Sequence, residues 1–408
     1  VNELSAKTSI QLHPSRKKHR LGRHPWILAS SIVEPKDPPK LGDLVDLLHT
    51  DGRWIGRGLY NPHSRIRIRM LSWDASEAID EQWLNTRLDR AFDLRQTMPG
   101  GSNLDAVRLI FSEADFLGGL IVDRFGPHIV IQVTAAAVLP WLDQVTQRLR
   151  ERYSPESIAL VIDDRTAKSE GIEPQSRVLE GCLPDAPFEI RENDLRWTID
   201  LREGQKTGYY LDQRDNRRAA AAWTPLGARV LDICTYAGGF ALTIARHAQP
   251  SQIIAVDSSA KALEWARGNA ERNGLQNGNG LQDGIEWEQA DFYNALSRRL
   301  ESRDQFDMIV LDPPRLAGSR DQVDRALAAY HRLNYLACRI LKPGGILVTC
   351  SCSGRVTRGD FLDMLHGVAV RVRRDLQILE NRGASPDHPT SIHCPETDYL
   401  KCIIARVL

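Results

Sequence analysis

Val230-Leu-Asp-Ile-Cys-Thr-Tyr-Ala-Gly-Gly-Phe-Ala-Leu242 reads as a strand, a tight glycine turn and the start of a helix. Val230, Leu231 and Ile233 make a short apolar strand, and Gly238-Gly239 lets a ligand approach the backbone where the helix begins. The G-x-G-x-x-G spacing that sets a helix N-terminus against a pyrophosphate is absent. An acidic residue, Asp232, lies inside the strand instead, and a second, Asp257, ends the next apolar run. A carboxylate at that second position suits the two hydroxyls of a ribose. Asp291, after the third run, suits an exocyclic amine such as that of adenine. Ribose and adenine without a phosphate clamp describe S-adenosylmethionine better than NAD. Any one of these aspartates would serve equally as a helix cap, but three at successive strand ends favour the ligand.

Outward from this turn the pattern repeats. Strands are expected over 229–233, 252–256, 285–289, 308–311 and 346–350, with helices through His247 and over 260–273 and 322–341. Strand–helix alternation with acidic residues at the strand ends predicts an α/β fold: a doubly wound, mostly parallel, Rossmann-like sheet with its ligand crevice along the carboxyl ends. Asp312-Pro-Pro314 follows the fourth strand, and two prolines hold that aspartate at a rigid, extended corner. Thr349-Cys-Ser-Cys-Ser-Gly354 closes the fifth. Cys350, inside the strand, reads as a small apolar filler. Cys352 lies past the strand end, where a thiol reaches the crevice. Making C5 of a pyrimidine nucleophilic needs covalent addition at C6, which a thiolate does well, with an acid such as Asp312 serving N3.

The chain has 408 residues, 42% of them apolar, with 53 basic residues balancing 53 acidic ones. That excludes a disordered chain and a protein that coats nucleic acid by bulk charge, so a polyanion site must be local. Neither a membrane span nor the apolar core of a secretory signal is visible. The seven cysteines lack metal-ligand spacing. Free thiols in a reducing cytoplasm are expected, with no metal site.

The charge is uneven along the chain. No acid falls between Leu4 and Val33, a stretch holding Lys7, Arg16, Lys17, Lys18, Arg20 and Arg23. None falls from Gly52 to Trp73 either, where Arg65, Arg67 and Arg69 alternate with isoleucines and so share one face of a strand. Short strands over 43–49, 54–59 and 65–71 predict a small β-rich barrel or sandwich at 1–73, and its two acid-free basic stretches favour contact with RNA or DNA. A middle α+β domain follows at 74–193, and the strand–helix domain occupies 194–408. Arg65, Arg67, Arg69, Lys17 and Lys18 are the RNA-binding candidates, although such a face would also suit plain solvation.

The motifs His24-Pro-Trp26, Lys206-Thr-Gly-Tyr-Tyr-Leu-Asp-Gln-Arg-Asp-Asn-Arg217, Tyr236-Ala-Gly-Gly-Phe240, Asp312-Pro-Pro314, Ser351-Cys-Ser353, Asp387-His-Pro389 and Tyr399-Leu-Lys401 span nearly the whole chain. In them the chain resembles the bacterial 23S ribosomal RNA large-subunit cytosine-5 methyltransferase family, which carries an N-terminal PUA domain. The resemblance implies a PUA domain at 1–73, a class I methyltransferase domain, and S-adenosylmethionine as cofactor. It implies Cys352 as nucleophile with Asp312, and a cofactor held by Asp232, Tyr236, Gly238, Gly239, Asp257, Asp291, Asp312 and Gln213. The expected partners are 23S ribosomal RNA, naked or in a large-subunit intermediate, and a second copy of the chain as a possible homodimer; no membrane is expected. One departure stands out. Many RNA cytosine-5 methyltransferases have a second cysteine after the prolines, and here Arg315 takes that place. The base that removes the C5 proton is then unassigned, with Asn381, Arg382, His388 and His393 in the C-terminal region. The alternatives are a guanine-N7 or other ring-nitrogen methyltransferase, which needs no thiol, and an inert RNA-binding assembly factor.

Overall fold

The computed structural model describes residues 8–14, 22–202, 209–275, 284–318 and 320–408. In the C-terminal half the apolar runs form strands β1 (Arg229–Ile233), β2 (Gln252–Asp257), β3 (Ile285–Gln289), β4 (Phe306–Leu311), β5 (Leu341–Ser351), β6 (Leu376–Arg382) and β7 (Lys401–Val407). They join in one sheet in the order β3-β2-β1-β4-β5-β7-β6. The first five run parallel, and β7 lies antiparallel between β5 and β6. The central strands are covered on both faces, so Val230, Leu231, Ile233 and Met308 to Leu311 are all fully buried. This is why they read as unbroken apolar runs rather than alternating ones. Helices α1 (Arg214–Trp223), α2 (Gly239–His247), α3 (Ala260–Arg272), α4 (Phe292–Glu301), α5 (Val323–Ile340) and α6 (Arg358–Val372) supply the cover.

Strand order reverses at β1, whose neighbours are β2 and β4, and this is the switch point at which such sheets open a crevice. The register sets the contents of its rim. Ile233 stands beside Val256 and Leu311, and Leu311 beside Thr349. Cys234, Asp257, Asp312 and Cys350 therefore follow at one level of the sheet edge. The expected doubly wound α/β fold is present. The helix expected to reach 341 ends at Ile340, and β5 begins at once, passing through an irregular pairing at Pro343-Gly344-Gly345 before it meets β4 again at Ile346. Helices α1, α4 and α6 and strands β6 and β7 were not expected from the sequence.

The chain divides into two compact units. One comprises Glu189–Thr198, Tyr210–Ser385 and Asp398–Leu408, and the other Val1–Phe188, Ile199–Tyr209 and Pro386–Thr397. The second of these contains two sheets. Thr8–Gln11, Leu44–Leu48, Trp54–Tyr60, Ile66–Ser72 and Trp26–Leu28 make the first, in that spatial order, around Ile10, Val45, Leu47 and Ile68. Gln175–Gly181, Ser157–Ile162, His128–Val133, Leu120–Phe125 and Ala106–Phe111 make the second. Helices Glu81–Thr97 and Leu142–Tyr153 bury Leu88, Phe92, Val145 and Leu149 in a core that also takes Leu44, Leu59 and Leu71 from the first sheet. The expected border at 193/194 falls in the turn of a hairpin between Phe188–Glu192 and Leu195–Ile199. Asn193 and Asp194 both have positive φ there (53° and 58°), the geometry of a two-residue turn.

Arg374 gathers the end of the sheet. Its guanidinium donates to the carbonyl oxygens of Cys338, Leu341, Lys342, Val407 and Leu408, joining the end of α5 to β5 and β7. Hydrogen bonds to a charged donor are worth about 1.5–3 kcal/mol. Arg374→Met is expected to lower unfolding stability by about 2–3 kcal/mol, read from the urea midpoint at constant slope.

Candidate active site

At the end of β1 the chain turns through Cys234 and Tyr236, both with positive φ (63° and 50°), into α2. Asp232 makes this turn possible. It is fully buried, and its Oδ2 accepts from the Thr235 hydroxyl at 2.6 Å and the Ala241 N–H at 3.0 Å. Its Oδ1 is buried with no hydrogen-bond partner. Asp257 pins the same turn from β2, accepting from the N–H of Tyr236 and of Ser259, both at 2.9 Å. Gly238 has φ +86°, and at Gly239 a Cβ would stand 2.7 Å from Nε of Arg217. That guanidinium is itself held by Glu192 at 2.7 Å and the Tyr210 carbonyl at 2.8 Å. Gly239 is thus required by the buried Arg217.

The acidic strand ends converge. Burial and the carboxylates of Asp257, Asp312, Asp232 and Asp291 push the Cys234 thiol well above its ordinary range. A cationic ligand suits this ring of acids, and the orphaned Oδ1 of Asp232 and the bare glycine turn fit it sterically. Asp291 also caps α4, its Oδ1 accepting from the N–H of Tyr293 and Asn294. Gln213 is buried and donates to Asp312 Oδ1 at 2.9 Å, while its own Oε1 accepts from Asn216 at 2.7 Å. Its side chain therefore holds Asp312 directly.

Two loops form the other wall. Past β5, Cys352 is half-buried, with Sγ 4.0 Å from the Pro313 carbonyl, the residue that follows Asp312. Next to it, the buried Ser353 Oγ accepts from the N–H of Leu316 and of Ala317, both at 3.1 Å. With both lone pairs used, its proton points to the Tyr330 oxygen, 3.1 Å away. One hydroxyl thereby fixes the Cys352 loop to the Asp312 loop. Cys350, by contrast, is fully buried and paired in register with Cys402. Arg315 is exposed and donates back to the Ala317 carbonyl at 2.9 Å.

Sequence reasoning missed several groups here. Tyr210 lies within electrostatic reach of Tyr236, Cys352, Asp212 and Asp312, and burial pushes its hydroxyl well up. Its ring meets that of Tyr236 edge-on at 5.4 Å. Asp212 accepts from the Tyr399 hydroxyl at 2.5 Å. Lys401, on β7, is fully buried. Tyr399 and Lys401 come from beyond β6, so only the sheet brings them here. Asn381 and Arg382 are spent on Arg358 and on Asn216 and Glu380. His388 and His393 belong to the other unit, where His388 Nδ1 meets Asp387 Oδ1 at 3.0 Å.

In that unit the arginine face is partly consumed. Arg69 is buried in an ion pair with Glu113, its guanidinium over the Trp26 ring, and has no surface left for a phosphate. Arg67 is bound to Glu34 at 2.9 Å. Arg65 alone of the three is exposed. Lys17 and Lys18 lie outside the described residues. His24, Cys394 and Glu396 bring three metal-ligating atoms within 4.8 Å of one another. However, the Trp26 N–H donates to His24 Nδ1 at 3.1 Å, so Nε2 carries the proton and donates to Glu396. That tautomer has no lone pair for a metal, and the contact holds the Glu396 carboxyl down at about 2.

Residues 160–399 match the family described as S-adenosylmethionine-dependent methyltransferase, and residues 10–73 a PUA-like domain. The chain belongs to the S-adenosylmethionine-dependent methyltransferase family. S-adenosylmethionine is its cofactor, and the acidic, glycine-lined crevice of this methyltransferase fits that cation. The chain is similar to ribosomal RNA large subunit methyltransferase I of Shewanella denitrificans, 36% identical over 98% of this chain and 99% of that protein. The protein of the same name from Aeromonas hydrophila is 38% identical with the same coverage. Its fold is that of a solved methyltransferase complexed with SAH, with a TM-score of 0.82 at 18% identity over 99% of this chain and 100% of that one. A SAM-dependent methyltransferase from Streptococcus mutans gives 0.80 at 17% identity over 98% and 100%. Among the described residues no helix is long and apolar enough to cross a membrane.

Burial raises the Asp232 carboxyl from 3.8 to about 6, and burial with the Asp212 carboxylate beside it raises Asp312 from 3.8 to about 7. Groups raised in the folded state contribute stability that is fully present below 3.8 and is lost as pH rises through about 6 and about 7. Asp312→Asn is therefore expected to match the parent in urea unfolding near pH 4 and to exceed it above pH 7. An equal difference at both pH values would show that folding does not shift the Asp312 carboxyl.

Proposed function

We propose that the chain methylates C5 of a cytosine in large-subunit ribosomal RNA through a covalent adduct of Cys352 at C6. The observation that carries this reading is the join made by Ser353, which holds a half-buried thiol beside a carboxyl raised by burial to about 7. A ring-nitrogen methyltransferase has no use for that pair, and an inert assembly factor has no use for the crevice. The name shared by the relatives supports ribosomal RNA as the substrate.

Asp257, Asp291, Tyr236 and the Gly238-Gly239 turn would hold the cofactor, with Asp232 and Gln213 setting the turn and Asp312 around it. S-adenosylmethionine supplies the electrophilic methyl group. Cys352 Sγ adds to C6, and Asp312 hydrogen-bonds or protonates N3 so that electron density collects on C5. After C5 has taken the methyl, loss of its proton reforms the C5–C6 double bond and expels the thiolate. The target must first leave its stack, at a cost of a few kcal/mol. A PUA-like domain at 1–73, offering Arg65 and, outside the described residues, Lys17 and Lys18, would meet the RNA backbone. The middle domain at 74–193 and the catalytic domain at 194–408 complete the proposed division.

Cys352→Ala is expected to abolish methyl transfer while leaving the fold and cofactor binding intact. Cys350→Ala should keep turnover and lose stability. RNA carrying 5-fluorocytosine should trap an adduct on Cys352, because fluorine blocks the elimination. Robust methylation by Cys352→Ala, or an adduct mapping elsewhere by mass spectrometry, would overturn the mechanism.

Asp257→Ala should weaken S-adenosylmethionine binding by about 2 kcal/mol or more in calorimetry, on the scale of charge-assisted hydrogen bonds. Unchanged affinity in the folded variant would remove Asp257 from the cofactor site.

A further inference from the structure

A thiol with an ordinary value near 8.5 is only a few per cent ionised at neutral pH, so a cysteine nucleophile needs a cation or a base beside it. No histidine stands in the Cys352 loop or in the Asp312 loop. Among the described residues, the buried Lys401 is a cation at hand. Register pairs Lys401 with Ser351, the last residue of β5, from which Cys352 emerges. Its Nζ donates to the carbonyl of Ser353 at 2.9 Å and of Tyr399 at 2.8 Å. The side chain is fully buried, and no carboxylate lies within salt-bridge distance of it among the described residues.

A buried ammonium without an anion costs several kcal/mol. The charged groups that act on Lys401 are Asp398, Cys352, Arg358 and Asp360. Asp398 is already paired with Arg358 at 2.9 Å, and Asp360 closes the capping box of α6 with Thr357. Cys352 is the remaining group that can supply the negative charge. Its other titratable neighbours, Tyr210 and Tyr330, are phenols that burial keeps protonated. Burial also raises Asp312, just across the Pro313 carbonyl, to about 7, so it is far less ionised than an ordinary carboxyl. Among the described residues, Lys401 is thus a buried cation within electrostatic reach of the thiol.

We propose that Lys401 is a positioning residue for the reaction, its buried ammonium stabilising the Cys352 thiolate while its two carbonyl contacts hold the loop that carries the sulfur. No bond is made or broken by Lys401. Its charge lowers the cost of ionising Sγ before attack on C6, and of releasing Sγ as thiolate after the C5 proton has left. Burial holds the ammonium itself down to about 8, so the pair works while Lys401 keeps its proton and fades above that pH. This inference rests on the cysteine-adduct reading given above.

The test is the pH dependence of Cys352 carbamidomethylation by iodoacetamide, followed by mass spectrometry in the full chain without RNA. Parent and Lys401→Met are compared, since methionine fills a similar volume without charge. The midpoint for reaction at Cys352 should lie at least one pH unit higher in Lys401→Met, a roughly tenfold loss of thiolate at neutral pH. S-adenosylmethionine affinity should be unchanged. Superimposed profiles would overturn the proposal, because a merely structural lysine does not move a thiol titration. Should Lys401→Met fail to fold, Cys352→Ala supplies the reciprocal measurement. Its Lys401 amine, followed by NMR, should lose its proton at lower pH than in the parent, and an unchanged titration would overturn the pairing. Methylation by Cys352→Ala would instead defeat the cysteine-adduct reading itself, whatever the alkylation profiles show.

Discussion

The Ser353 hydroxyl accepts two backbone N–H groups from the loop after Asp312-Pro-Pro314 and gives its own proton to Tyr330 on α5. All of its hydrogen-bonding capacity is used, in a buried place where an unmade bond would be expensive. The separation of thiol and carboxyl is consequently set by rigid neighbours rather than by two independent surface loops. On one side the prolines restrict the corner, and on the other Lys401 grips the Ser353 carbonyl. A site built in this way is organised before any nucleic acid arrives, which is how orientation lowers a barrier.

The same crevice solves an electrostatic problem. Asp232, Asp257, Asp291 and Asp312 act together on Cys234, and a protein that gathers four acids must neutralise them, hydrogen-bond them or fill the space with a cation. The structure uses every means. Asp257 and Asp291 take backbone N–H groups, Asp232 and Asp312 are driven toward their neutral forms, and a cationic cofactor suits what remains. Burial and the neighbouring Asp212 raise the Asp312 carboxyl to about 7, which would suit it to donate toward a ring nitrogen in the proposed reaction.

How far the sequence was legible can be judged from particular residues. The strands at Arg229–Ile233 and Ile285–Gln289 were readable to the residue, the first because a strand covered on both faces is continuously apolar, the second because Ile285 and Trp287 alternate with polar residues at an edge of the sheet. The arginines in the stretch from Gly52 to Trp73 looked available for RNA because no acid adjoins them in the chain. Arg69 nevertheless finds Glu113, 44 residues away, and folds its charge into the core of its unit. Sequence proximity is a poor guide to ion pairing, since the partner is chosen by the fold. Strand β7 was missed because it follows an irregular segment that leaves for the other unit.

By itself the sequence determined the alternating architecture, the acidic strand ends, the glycine turn and the cysteine that lies past a strand end. Each is a local signal, set by period, turn chemistry or position relative to an apolar run. Tertiary structure alone decided that Gln213 serves Asp312, that Arg217 forbids a side chain at Gly239, and that Lys401 comes to lie beside Cys352. Those pairings depend on the order β1-β4-β5-β7, which joins residues far apart in the chain. Hydrogen bonds and buried charges reward whatever the packed sheet brings within about 3 Å, and no local pattern in the chain records that distance.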